Sequence, residues 1–178
     1  MAEKSVIKEW APVVEALGKG KQIILIRTYQ PAYDDFLLYP TYTFLRRPDI
    51  RNQLRTGIVN NAGRIQARTT VEIDYYAKVI GLISFRQNPT LLRDIEWSHI
   101  WTSDHLSSYV GYGEGIVWLL RVYRLNKPFL TQPLGGQVYS SLNELPISLD
   151  CAPVLSENEF MSRVHQLEKI LGPIRRRI

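Results

Sequence analysis

Alternating and clustered apolar positions divide the chain into short elements, most of them extended. Lys21 to Tyr29 (KQIILIRTY) is a run of β-branched and aliphatic residues and predicts a strand. Phe36 to Phe44 (FLLYPTYTF) predicts a second, with Pro40 demoting its middle to an edge or a bulge. In Thr69 to Phe85, Val71, Ile73 and Tyr75 alternate with Glu72, Asp74 and Tyr76, the period of a half-buried strand. That run exceeds the usual strand of about 3–10 residues, so a bend is expected near Ala77–Lys78 or Gly81. Ile116 to Leu125 (IVWLLRVYRL) predicts a further strand, and Val138 to Leu142 a weaker one behind Gly135-Gly136.

Helical spacing is rarer. Val6, Ile7, Trp10, Val13, Val14 and Leu17 recur at three- and four-residue steps and predict a first helix over Val6 to Leu17. Pro12 conflicts with a helix interior, so either the helix starts near Ala11–Pro12 or residues 6–16 are extended. Arg46 to Arg55 reads as a short polar helix with Pro48 in its first turn. Pro89 to Ile95 reads as a helical turn, Trp97 to Trp101 as a short extended piece, and Ser103 as the cap of a helix over Asp104 to Tyr109. The last helix is the most clearly marked. Ser156-Glu157-Asn158-Glu159 forms a capping box, Phe160, Val164, Leu167, Ile170 and Leu171 form a stripe, and Gly172-Pro173 stop it. These elements predict one α+β domain over residues 1–178, built on a small mixed, barrel-like sheet with flanking helices, with a frayed tail at 173–178.

Composition narrows the setting. Of 178 residues 45% are hydrophobic and 22% charged, which excludes a disordered chain. No apolar run approaches the ~20 residues that span a bilayer, and Met-Ala-Glu-Lys-Ser at the start carries no secretory core. The single cysteine, Cys151, has no internal partner and fits a reducing cytoplasm.

Charge adds a sharper feature. The formal excess is +5, and the segment Arg46 to Arg68 alone carries six arginines against one acid, Asp49. Arg46, Arg47, Arg51, Arg55, Arg64 and Arg68 are all arginine and never lysine, which favours bidentate recognition of phosphate or carboxylate. The bland alternative is a solvated helix paired with acids elsewhere. Tyr39, Tyr42 and Trp101 are candidates to stack on a base, and His99, Arg121 and Arg124 to hydrogen-bond its edge. Each aromatic has an alternative reading as core packing.

Other chemistry is poorly supplied. Gly111-x-Gly113-x-Gly115 precedes a strand and lacks a following Lys-Ser/Thr, so it is neither a dinucleotide fingerprint nor a P-loop. Ser98, His99 and Asp104 lack a nucleophile-elbow context. One cysteine without a Cys-x-x-Cys pair argues against zinc, and no catalytic residue, metal or cofactor is expected. Glu72 and Asp74 share a strand face and keep a metal-dependent nuclease as an alternative. A protein-interaction module with an acidic partner is the other.

Several ordered phrases resemble one family. Lys8-Glu9-Trp10-Ala11, Val13 to Leu17 and Gly20 to Arg27 resemble the opening of the domain-of-unknown-function family 1802. Phe36 to Tyr42, His99 to Thr102, Leu120 to Leu125 with Pro128, and Val154-Leu155-Ser156 with Glu159-Phe160 are similar to its later blocks. The family resemblance implies no established activity; it implies a restriction–modification setting and a restriction-endonuclease-like partner. A helix, then Gly18-Lys19-Gly20-Lys21, then a strand ending in Arg27 also resembles the entry of PUA-like domains, small β-barrels some of which hold modified bases. Together these readings predict a non-enzymatic module that binds DNA or RNA.

Overall fold

The computed structural model describes residues 2–42, 70–86, 88–145 and 149–176. In chain order the elements are β1 (Ala2–Trp10), α1 (Ala11–Gly18), β2 (Ile24–Arg27), β3 (Asp35–Thr41), β4 (Val71–Arg86) and α2 (Pro89–Asp94). A 3-10 turn (Glu96–Ser98) leads to α3 (Ser103–Val110) and β5 (Glu114–Thr131). β6 (Tyr139–Leu145), β7 (Cys151–Pro153), α4 (Glu157–Leu171) and β8 (Arg175–Arg176) complete the chain. The short polar helix expected over Arg46 to Arg55, and the six arginines themselves, lie outside the described residues.

Of the readings that Pro12 left open for the first helix, the structure has the start near Ala11–Pro12, and residues 6–10 lie outside the helix. They are extended in β1, and the helix starts at Ala11 with Pro12 in its first turn. There a missing N–H removes no helical bond. The apolar steps through Val6 and Ile7 belong instead to two faces of a strand: Val6 sits opposite Leu37 and Ile7 opposite Leu38 in the parallel pairing of β1 with β3. Every other pairing is antiparallel, and the path runs β2-β5-β4-β3-β1-β6, with β7 on β5 and β8 on β4. The class is therefore α+β with a mixed sheet, as expected. Among the described residues the two path ends, β2 and β6, do not pair, so the sheet bends without closing.

The long strands carry that bend. β4 and β5 pair along most of their length, with register shifts between Ile73 and Tyr75 and between Val79 and Gly81. The second lies at one of the two expected places, and each shift sharpens the twist. Pro40 falls past the last β3–β4 pair, Leu38 with Tyr75, where β3 has become an edge on that side. Helix α3 is capped by Thr102, which accepts from the His105 N–H at 3.2 Å, one residue earlier than expected. The Ser156–Glu159 capping box of α4 forms as expected. β7 and β8 are too short to leave a periodicity. β8 holds part of the tail expected to fray, through Arg175 against Leu82 and Arg176 against Gly81.

Period-2 alternation sorts the core onto the two faces. One face, with Ile7, Leu38 and Trp118, packs against Val13 and Leu17 of α1, Leu106 and Val110 of α3, and Phe160, Val164 and Leu167 of α4. The other gathers Val6, Leu37, Tyr39, Ile73, Tyr76, Leu125 and Leu142. No helix among the described residues is long and apolar enough to cross a membrane.

Gly81 is where β8 crosses closest to β4. A methyl group there would sit 2.2 Å from Ile174 Cγ2 and 3.1 Å from the Arg175 carbonyl oxygen. Gly81→Ala is expected to cost about 1–3 kcal/mol in urea unfolding. Ile174→Ala removes the colliding methyl, so the same change in that background is expected to cost measurably less.

Candidate functional site

The C-terminal ends of β1 and β2 meet, although β5, β4 and β3 lie between them in the sheet path. Arg27 Nη2 donates to Glu9 Oε2, with side-chain exposures of 13% and 7%. The pair is fully engaged. Glu9 Oε1 accepts from the Trp10 N–H at 2.8 Å, and Arg27 Nη1 donates to the Ile26 carbonyl at 2.9 Å. The Thr41 hydroxyl adds a bond to the Glu9 carbonyl at 3.2 Å, fixing β3 to the same place. The guanidinium lies 5.8 Å from the Trp118 ring, and Trp118 Nε1 donates to the Tyr29 carbonyl at 2.9 Å.

Aromatic side chains continue outward from this pair. Trp101 meets Trp10 edge-on at 4.7 Å and stacks on His105 at 4.7 Å, with 30° between planes. His105 and Tyr109, four apart on α3, share a helix face; their rings lie 6.2 Å apart and 16° from parallel. The series runs from buried Trp101 to exposed Tyr109. Tyr29 meets Trp118 edge-on at 5.6 Å, and Tyr33 meets Tyr139 at 5.5 Å. Tyr29, Tyr33, Tyr42, Tyr109 and Tyr112 all present large exposed area.

Burial and charge set the protonation states here. Burial works against the Arg27 charge, but Glu9, Tyr29 and Tyr109 outweigh it and raise its pKa, so the side chain stays cationic. Burial lowers His105, with Arg27 lowering it further and Glu9 opposing both, so the imidazole is neutral at pH 7. Burial raises the Tyr29 hydroxyl against the pull of Arg27. The site therefore combines one held cation, neutral rings and hydroxyl donors, a set suited to stacking and hydrogen bonding.

The structure distributes the six sequence candidates for a base pocket over several places. Trp101 belongs to the aromatic series, and exposed Tyr42 follows Thr41 directly. Tyr39 lies on the opposite face, in the second core, where its hydroxyl accepts from the Leu134 N–H at 3.3 Å. His99 is fully buried beside Ile100, whose N–H donates to Gln22 Oε1 at 3.2 Å. Arg121 is buried against Phe160 and Glu157, and exposed Arg124 stands opposite Tyr75 on β4. Arg46, Arg47, Arg51, Arg55, Arg64 and Arg68 lie outside the described residues. Sequence reasoning missed Glu9, Arg27 and Tyr29 as site residues. The available signal was a charge in an apolar phase: Glu9 falls in register with Ile7, and Arg27 closes an aliphatic strand.

Among the described residues, no group of three or more His, Cys, Asp or Glu side chains is placed to hold a metal ion. Asp74, one of the two nuclease candidates, is raised by burial and by Glu72, with Arg124 opposing.

The chain belongs to the family described as a domain of unknown function, DUF1802, whose pattern matches residues 6–166. No curated protein matches the sequence. Among solved structures it is similar to a serine-to-alanine variant of the ASCH protein of Zymomonas mobilis, at 14% identity and a TM-score of 0.46, covering 92% of this chain and 94% of that one. The ASCH protein from Zymomonas mobilis without that substitution is similar at 17% identity and a TM-score of 0.43, covering 90% and 93%.

Two outcomes test the site's construction. Glu9→Gln is expected to lower stability by about 3 kcal/mol, because it leaves a buried guanidinium without its anion. Glu9→Gln with Arg27→Met should recover most of that loss in chemical denaturation. His105 is expected to titrate below 6.5, the ordinary imidazole value, by NMR. Protons then bind the unfolded chain first, so this contribution to stability is present above about pH 6.5 and is lost as the pH falls towards the folded value. His105→Phe should remove that part of the acid dependence.

Proposed function

We propose that this protein is a non-enzymatic nucleic-acid-binding module that stacks unpaired bases on the tyrosine-rich end of its sheet. The observation that carries the reading is the group of exposed tyrosines around the Arg27–Glu9 pair, next to the point where the arginine-rich segment joins the chain. Thr41 is bonded to Glu9, and Arg46 follows five residues later. Arginines 46, 47, 51, 55, 64 and 68 supply phosphate contacts that are salt-sensitive and indifferent to sequence. Tyr109, at the open end of the Trp101–His105–Tyr109 series, offers a ring face to a base, with Tyr29 and Tyr42 nearby in the fold or chain. A base must be unpaired or flipped to use such a face, so single strands are favoured over duplexes. A restriction–modification setting with an endonuclease-like partner draws its support from the family resemblance, and a cytoplasmic location from the lone cysteine.

Fluorescence anisotropy with single- and double-stranded oligonucleotides tests this. Affinity for single strands is expected to fall about 10²-fold between about 50 and 200 mM salt. Replacing Arg47, Arg51 and Arg55 together by Gln should weaken binding and reduce the salt slope by about 3. Tyr109→Ala should cost about 1–3 kcal/mol on single strands with the slope unchanged. Absence of binding at the lower salt overturns the proposal and leaves the acidic-partner reading.

A further inference from the structure

We propose that Arg121 anchors a second binding site, for a small oxyanion (a carboxylate or a phosphate), in the cleft between α1 and α4. The site is independent of the nucleic-acid reading and uses none of the residues assigned to phosphate or stacking contacts there.

Arg121 occupies a gap in the sheet. Along one edge of β5 the pairing with β2 stops at Ile24 opposite Leu119, and the pairing with β7 begins at Pro153 opposite Tyr123. Between them the edge is bridged by the Leu120 N–H on the Ile23 carbonyl at 2.8 Å and the Val154 N–H on the Val122 carbonyl at 3.0 Å. A cleft opens there, walled by Leu17, Gly20, Gln22, Leu155, Phe160 and Arg121. Gly20, at φ 65°, lets Leu155 close one side, since a methyl there would lie 2.6 Å from Leu155 Cδ2.

The guanidinium is held but incompletely bonded. Its Cζ lies 4.5 Å from the centre of the Phe160 ring, whose face holds the cation in place. Nη2 donates to Glu157 Oε2 at 3.1 Å, while Nη1 is buried with no hydrogen-bond acceptor among the described residues. The two partners differ sharply in exposure: the Arg121 side chain is 9% exposed and that of Glu157 is 72%. A buried cation thus relies on a carboxylate that stands mostly in water, where an ion pair contributes only about 0–1 kcal/mol. Arg163, donating to the Gly20 carbonyl, brings a second cation to the rim.

Glu157 reports the chemistry the cleft accepts. Its carboxylate takes Nη2, and the cleft that Arg121 walls has room for about one water-sized group. An incoming carboxylate or phosphate gains both guanidinium nitrogens once Glu157 turns outward. Glu157 lies in the first turn of α4 and is not the capping-box acid, so its departure leaves the Ser156–Glu159 cap intact.

Arginine side-chain NMR of the whole protein, titrated with acetate and separately with inorganic phosphate at constant ionic strength, tests the proposal. One arginine resonance should shift saturably, and Arg121→Met, which keeps the aliphatic packing, should abolish that shift. Glu157→Gln removes the competing carboxylate from an exposed position and should tighten binding of the same anion by about threefold. Response to phosphate alone or to acetate alone identifies which oxyanion the cleft takes. Failure of both anions to produce a saturable shift overturns the proposal, as does an unchanged affinity in Glu157→Gln. If Arg121→Met does not fold, the Glu157→Gln result decides.

Discussion

The ion pair between Glu9 and Arg27 is the constraint around which this fold is arranged. By backbone pairing, β1 and β2 belong to distant parts of the sheet, with three strands between them. Their ends nevertheless meet through two charged side chains almost removed from water. A buried guanidinium is tolerable only with its anion in place, and the curl of the sheet brings the two strand ends close enough to supply it. The register shifts in β4 and β5 supply the curl, and α1 spans the junction. The result is a sheet that its hydrogen bonds leave open and a side-chain contact draws together.

That junction also explains why aromatic residues collect there. A strand pair joined by side chains leaves a seam no backbone ladder fills, and Trp10, Trp101, Trp118 and His105 pack into it. Their outer neighbours, Tyr29, Tyr33 and Tyr109, cannot also be buried and remain at the surface. A site of this kind arises from packing geometry before any ligand is considered, which is why its residues come from separate stretches of chain.

Much of the architecture was legible in the sequence, because period-2 alternation and capping chemistry are local. The long strand over 71–86, its bend at Gly81 and the Ser156–Glu159 box follow from neighbouring residues alone. Residues 6–10 were only partly legible, because Val6, Ile7 and Trp10 fit a helical stripe as well as two strand faces, while Pro12 marked where the helix begins. The site was less legible than the fold. Glu9 and Arg27 are 18 residues apart and meet only through the curl of the sheet. Tyr39 and Trp101 look equivalent as aromatics beside polar partners, yet strand parity sends Tyr39 to the other face.

The two buried arginines show how one short strand can border two different kinds of site. β2 has four residues, and its ends adjoin Arg27 on one side and, through Ile23 and Gln22, the Arg121 cleft on the other. Gln22 ties the two regions together, donating to the Ile24 carbonyl at 2.7 Å and accepting from Ile100 beside Trp101. Arg27 meets an anion as buried as itself, whose other oxygen accepts the Trp10 N–H, and such a pair stays assembled because separating it strands a charge. Arg121 meets a carboxylate in solvent, held by one bond, and that partner can leave at little cost. Depth of the counter-charge, more than depth of the arginine, therefore separates a structural ion pair from an exchangeable one. By that criterion Arg27 belongs to the frame of the molecule, whereas Arg121 carries an exchangeable counter-charge.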